Sequence, residues 1–345
     1  MAWEPDRSLQ VRMVVTLILL ALLPMAFTFT MAAAFNHLIF PLAESLTEGE
    51  FGTVSFSPVI IAALTVAGLA LAYYKGGDMA LAETDARVVG REEAPELYGR
   101  VERLAAVAEM PAPDVALIRS DAPNAFATGR SREDATVAVT TGLRETLDDD
   151  ELDAVLAHEL AHIRNRDATV MSIAYLLPTF TFVVASVTYQ VLTTFLKGLS
   201  YMHTGGGRDS GRALAVIIVL FVVTAAVTIT VSAIFWIASF ALFRLISQYR
   251  EYSADRGSAA VTGKPLALAS ALDRIDRRME SLPDRDLRDL DGGAEALYIA
   301  SLNLPMFNDE DDDDSILSQE LFPGSHPPTA DRIERLQELA GELER

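Results

Sequence analysis

The sequence predicts an α-helical integral membrane protein, with about four transmembrane helices, that carries an α+β domain outside the bilayer. Three observations predict it. Half of the 345 residues are apolar, yet the formal net charge is -20. Charge and apolarity are therefore segregated along the chain: residues 75–169 hold 11 Lys/Arg against 20 Asp/Glu, and residues 244–345 hold 12 against 22, while the rest is nearly neutral. Finally, four stretches contain no Asp, Glu, Lys or Arg, and each exceeds the roughly 20 apolar residues that cross a bilayer as a helix.

Those stretches are Met13–Ala43, Phe51–Tyr74, Ala168–Leu196 and Ala213–Phe243, of 31, 24, 29 and 31 residues. The first is too long for the apolar core of a signal peptide and lacks a small-residue cleavage site at the usual distance. Pro24 and Pro178 lie inside spans, where neighbouring groups satisfy the backbone that a kink frees. The third, rich in Thr and Ser, is the weakest candidate.

Arginine placement sets the orientation. Arg7 and Arg12 precede the first span, Lys75, Arg87, Arg91, Arg164 and Arg166 bracket the 75–169 region, and Arg244 and Arg250 follow the fourth span. The 42–56 loop has no Lys or Arg. The expected division is a cytoplasmic N-terminus (1–12), two spans with a short outer loop (13–74), a cytoplasmic region (75–167), two further spans (168–243) and a cytoplasmic C-terminal region (244–345). The 197–212 loop, with Lys197, Arg208 and Arg212, runs against this bias.

Within the polar regions, Leu97, Val101, Leu104 and Ala108 recur at helical spacing over 94–110, before Pro111 and Pro113. Val115–Arg119, Asn124–Thr128 and the alternating, β-branched Ala135–Thr140 read as strands. A helix follows over 143–166, with Asp148–Glu151 and Asp153 early in it, where negative charge complements the helix dipole. Asp331–Leu339 reads as a C-terminal helix, and the acidic run Asp309–Asp314 as a solvated loop.

Composition excludes several functions. An acidic chain lacks the basic patches that bind nucleic acid. With no cysteine, disulfides, cysteine–zinc sites, Fe–S clusters and thiol nucleophiles are all absent. Any transition-metal site must use His and carboxylates. Only three lysines accompany 25 arginines, and a dense acidic surface so poor in Lys resembles proteins of salt-adapted archaea.

The chemistry concentrates in His158-Glu159-Leu160-Ala161-His162. Histidines four apart on a helix project from one face, about one turn from each other, and can bind one tetrahedral Zn2+. The intervening Glu159 is placed to act as general base on water. Leu152, Val155, Leu156 and Leu160 supply an apolar face for packing, and the motif ends where the third uncharged stretch begins. Zinc needs one more protein ligand and an open position. Glu251 and Asp255, four apart on one helix face, are the candidates: one ligates, the other orients a ligand histidine through its second ring N–H. Spacing leaves open which does which. His37 reads as an interfacial residue near the far end of the first span, and His203, in an outer loop, has no assigned role.

These residues carry a resemblance. Asn124-Ala125-Phe126-Ala127-Thr128-Gly129, the HExxH followed by Asn165 and Asp167, Glu251-Tyr252-Ser253-Ala254-Asp255, and Ser325-His326-Pro327-Pro328 with Arg332 and Ile333 occur in this order between the spans. The chain resembles HtpX-type membrane zinc metallopeptidases, in the wider group that includes CAAX prenyl endopeptidases. The resemblance implies a gluzincin-like cytoplasmic peptidase domain, one zinc per chain held by His158, His162 and Glu251, and Glu159 as catalytic base. It also implies Asp255 beside a ligand histidine, and 124–129 as an edge strand that binds extended substrate backbone through Asn124, Ala125, Phe126 and Ala127. His326 and Arg332 are expected near the active site: His326 as a catalytic group that stabilises the oxyanion or binds substrate, and Arg332 as a substrate ligand or the alternative oxyanion donor. The expected function is hydrolysis of membrane proteins at the cytoplasmic face of the cell membrane, as stress-linked quality control. The alternatives are a prenyl-protein endopeptidase, and a membrane scaffold or transporter whose HExxH is incidental.

Overall fold

The computed structural model describes residues 7–47, 57, 59–60, 63, 65–67, 70, 86–129, 131–201, 208–281 and 327–344. The second uncharged stretch, the 309–314 run, His203 and His326 fall wholly or largely outside the described residues. The chain divides into two compact units: residues 15–74 with 173–243, and residues 1–14, 75–172 and 244–345.

The first of these units is built from apolar helices. Helix α1 (Arg7–Ala34) passes through a π-helical turn at Phe35–Ile39, which contains His37, into α2 (Phe40–Leu46). Helices α6 (Asp167–Tyr201) and α7 (Arg208–Thr262) complete it, each continuing beyond its uncharged stretch into the other unit. Phe27 of α1 is buried, edge-on to Phe180 of α6 and Phe235 of α7, with ring centroids 5.8 and 5.4 Å away. Ile18, Leu22, Ile217, Ile234 and Ile237 are exposed, the arrangement expected where lipid covers a helix. Among the described residues, three helical segments are long and apolar enough to cross a membrane: Val11–Leu46, Phe180–Gly198 and Leu214–Thr262.

The second unit is α+β. A 4-stranded sheet has the order β1 (Arg87–Val88), β2 (Asp114–Ile118), β4 (Thr136–Thr140), β3 (Ala125–Thr128). The central β2–β4 pair is parallel, with Ala116 opposite Ala138, and both outer pairs are antiparallel. Strand β4 is buried throughout, so both faces of this β-branched segment are covered. Strand β3 pairs only with β4 and so lies at a sheet edge. Its entry is set by Thr140: the hydroxyl donates to Ala122 O at 2.8 Å and accepts from Asn124 N at 2.9 Å and Leu143 N at 3.1 Å. The same side chain thus caps α4 (Thr141–Thr146) and pins the 122–124 loop. Gly142 permits this approach, since a Cβ there would collide with the Asp121 carbonyl.

Helix α5 (Asp149–Asn165) lies against β3 and β4, helices α3 (Pro95–Val107) and α8 (Pro265–Glu280) pack on α5, and α9 (Thr329–Leu343) packs on α8. Leu97, Val101, Val115, Val137, Leu156, Leu160, Leu268 and Leu336 form one core. The helix expected over 143–166 is interrupted at Leu147–Asp148. Asp148, extended at φ -79° and ψ 177°, accepts from Glu151 N at 3.0 Å, and the Glu151 carboxylate accepts from Asp148 N at 3.0 Å. This capping box satisfies two otherwise orphaned donors and starts a new helix. Asp148→Ala is expected to lower stability by about 1 kcal/mol, read as a lower urea midpoint with an unchanged slope.

Candidate metal centre

Helix α5 carries the histidines and α7 the carboxylates. Their register is held by Ser258 Oγ of α7, which donates to Ala154 O of α5 at 2.6 Å, and by Asn165 Nδ2, 3.4 Å from Ser253 Oγ. Glu251 and Asp255 then face one turn of α5. Their roles separate. Asp255 Oδ1 lies 3.0 Å from His158 Nδ1. Glu251 instead places Oε2 3.4 Å from His158 Nε2 and Oε1 3.6 Å from His162 Nε2.

The other histidine has its own carboxylate. Arg166 ends α5 in the left-handed conformation (φ 58°, ψ 39°), and its N–H caps His162 O and Ile163 O. This reversal returns Asp167 to His162, where Oδ2 lies 2.6 Å from Nδ1. The motif contains Asp167, but its spacing assigns it no role. The αL residue that would signal its return is an arginine, not the glycine usual at that position.

These contacts test whether a metal fits. A carboxylate lies near each Nδ1, and a proton held on that side of a neutral ring leaves its Nε2 able to ligate. The two Nε2 atoms are 3.0 Å apart, so a single proton or a single metal ion can lie between them. Ligands about 2.0–2.1 Å from a tetrahedral zinc are themselves about 3.3 Å apart, close to the 3.0, 3.4 and 3.6 Å seen here. His158, His162 and Glu251 are the group of described residues that could together hold an ion.

Charge leads to the same answer. Glu159, Asp167, Glu251 and Asp255 are all buried, as are Arg250 and Arg332. Four carboxylates with two guanidinium groups leave an excess that a dication cancels, and an uncompensated buried charge is costly. At His158, burial opposes a positive charge, but hydrogen bonding to Asp255 and Glu251 outweighs it and raises the pKa to about 9. The field that attracts a proton to this ring also attracts a dication.

Glu159 is buried beside the cluster, and its charge reaches Arg332. Arg250, a residue that no spacing argument singles out, donates from Nη2 to Glu251 Oε1 at 2.9 Å. Arg332, expected as a substrate ligand, engages a carboxylate of the cluster. It is buried, and its guanidinium holds Asp255 through Nε–Oδ2 at 3.0 Å and Nη2–Oδ1 at 2.6 Å. The reason is local: α9 packs on α8, and position 332 faces inward beside Leu336 in the same helix. On the other side of His162, Ala127, Thr128, Gly129 and Ile163 line a hollow of about 20 Å³, so edge strand β3 and a histidine of the motif share one cleft wall.

A buried HExxH helix with a third carboxylate converging from another helix, in a chain with membrane-length apolar helices, defines a membrane-bound metallopeptidase. The chain belongs to peptidase family M48, whose profile matches residues 91–340, and within it to the HtpX type. It is 36% identical over 343 residues to protease HtpX homolog 2 of Methanosarcina mazei, spanning 99% of this chain and 98% of that protein. It is 40% identical over 291 residues to the HtpX homolog of Moorella thermoacetica, spanning 84% and 87%. Protease HtpX homolog 1 of Streptomyces coelicolor is 36% identical over 341 residues, spanning 99% and 96%. The crystal structure of S. mikatae Ste24p aligns with 92% of this chain and 67% of that one, at 19% identity and a TM-score of 0.41, too slight a likeness to bear on function.

Proposed function

We propose that the protein is a zinc-dependent endopeptidase that cleaves membrane proteins at the cytoplasmic face, with His158, His162 and Glu251 holding the metal. The observation that carries this reading is the convergence of two Nε2 lone pairs and the Glu251 carboxylate on one point. The division into membrane and cytoplasmic segments follows the arginine-rich flanks of the apolar stretches.

Bound zinc supplies Lewis acidity to water and to the scissile carbonyl. The chain's own residues do the rest. Glu159 takes a proton from the attacking water at a carboxylate oxygen as the O–C bond forms, and delivers it to the leaving nitrogen as the C–N bond breaks. Asp255 and Asp167 hold the histidine rings in the tautomer that leaves each Nε2 unprotonated. Residues 124–127 along β3 offer backbone groups to an extended substrate strand, which lies beside His162. His326, immediately before Pro327 and α9, stabilises the developing oxyanion in this reading.

The test is metal analysis together with cleavage of casein and of an unprenylated, misfolded membrane protein by detergent-purified enzyme. One equivalent of zinc and cleavage of both, lost with chelator and restored by zinc, is the expected result. Cleavage confined to prenylated substrates would move the assignment to a prenyl-protein endopeptidase. Protein without metal, inactive on adding it, would make the HExxH incidental and favour a scaffold or transporter.

A further inference from the structure

Arg332 is the arginine that the C-terminal helix brings into the buried cluster, where its guanidinium meets two carboxylates. Both of its hydrogen bonds to a carboxylate go to Asp255, at 3.0 and 2.6 Å, in the paired fashion that fixes a carboxylate in orientation as well as position. The oxygen that accepts the shorter bond, Oδ1, is also the one 3.0 Å from His158 Nδ1. Arg332 Nη1 reaches 3.4 Å from Glu251 Oε2. One guanidinium therefore spans the carboxylate beside His158 Nδ1 and the carboxylate that faces both Nε2 atoms, and its Nη2 also lies 3.5 Å from His158 Nε2.

We infer that Arg332 is a positioning residue for the metal centre, acting through Asp255 on His158. Two effects compete when this arginine is removed. Losing a positive charge strengthens the attraction between the cluster and a dication. Losing both hydrogen bonds frees a buried carboxylate to turn away from His158, so the ring is no longer held with its Nε2 lone pair toward the centre. The second effect dominates, because the guanidinium is already compensated by Asp255 at hydrogen-bond distance, so its repulsion of an ion at the Nε2 atoms is largely offset. Partners that orient a ligand histidine are typically worth 10- to 100-fold in metal affinity.

This role rests on His158 being a metal ligand. The test measures zinc content and the rate of zinc transfer to a chelating dye, independently of proteolysis, in wild type, Arg332→Met, Asp255→Asn, the double variant and Leu336→Ala. Leu336 is a buried core residue of the same helix and carries no charge. Arg332→Met is expected to lose zinc about 10- to 100-fold faster than wild type. Asp255→Asn should lose it comparably, and the double variant no faster than Asp255→Asn to within about twofold, since two residues in one linkage are not additive. Leu336→Ala, which loosens α9 without touching the pair, should stay near wild type. The double variant also removes both buried charges together, so the comparison stands even if Arg332→Met alone folds poorly.

Wild-type retention in Arg332→Met would overturn the role, and tighter retention would show the arginine acting only as a repelling charge. Multiplying effects in the double variant would show that Arg332 acts by a route other than Asp255. Equal loss in Leu336→Ala would reduce its part to holding the helix. Zinc-free wild-type protein would instead overturn the metal centre itself, an outcome distinct from the others.

Discussion

Glu159→Gln is expected to abolish cleavage while leaving zinc bound. The substitution keeps the size of the side chain and removes its capacity to accept a proton. Glu159 lies on α5 between the two histidines, but the group converging with their Nε2 atoms is Glu251, so the amide should not disturb the ligand set. General-base catalysis contributes roughly 10²- to 10⁴-fold, and the loss in kcat should fall in that range. The check pairs turnover of a fluorogenic peptide with zinc stoichiometry on the same preparation. Retention of more than a tenth of wild-type turnover would assign the base elsewhere. Loss of zinc along with activity would mean that Glu159 supports the ligands instead of serving the reaction.

Glu251→Ala should empty the site. Its two oxygens are the negative charge facing both Nε2 atoms, at 3.4 and 3.6 Å, and the residue is fully buried. Two imidazoles remain as ligands after its removal. Losing a direct ligand should exceed the 10- to 100-fold typical of an orienting partner, so a weakening of more than about 100-fold is expected. Thermal unfolding gives a readout independent of turnover. Zinc at 100 times its Kd stabilises a protein that binds it only when folded by about 2.7 kcal/mol. Wild type should therefore melt higher with zinc than with chelator, and Glu251→Ala should melt at one temperature in both. Undiminished zinc retention would shift the third ligand to another carboxylate, with Asp255 the first to examine.

Several elements are legible in the sequence because the physics behind them is local. Helix α3, strands β2 to β4 and helix α9 lie within a few residues of their expected limits, since periodicity and proline punctuation act over single turns. The break at Asp148 escapes such a reading although its chemistry is local too: a run of acidic residues reads equally as the first turn of one helix and as a cap between two. Strand β1 escapes it because Arg87–Val88 is too short to show any period.

The sequence by itself determined that the chain is apolar in membrane-length blocks, that two histidines share a helix face with a glutamate between them, and that any metal must be held without cysteine. Its spacing also placed Glu251 and Asp255 on one face, but equivalently. The family resemblance assigned their roles, and the tertiary structure supplies the physical difference, which depends on how α7 meets α5: Ser258 on Ala154 O sets a register in which Glu251 meets the Nε2 atoms and Asp255 meets Nδ1. It likewise brought Asp167 back to His162 through one left-handed residue, and placed Arg332 against Asp255. Residues 77 positions apart meet only when the core packs, and no local pattern records which oxygen then faces which nitrogen.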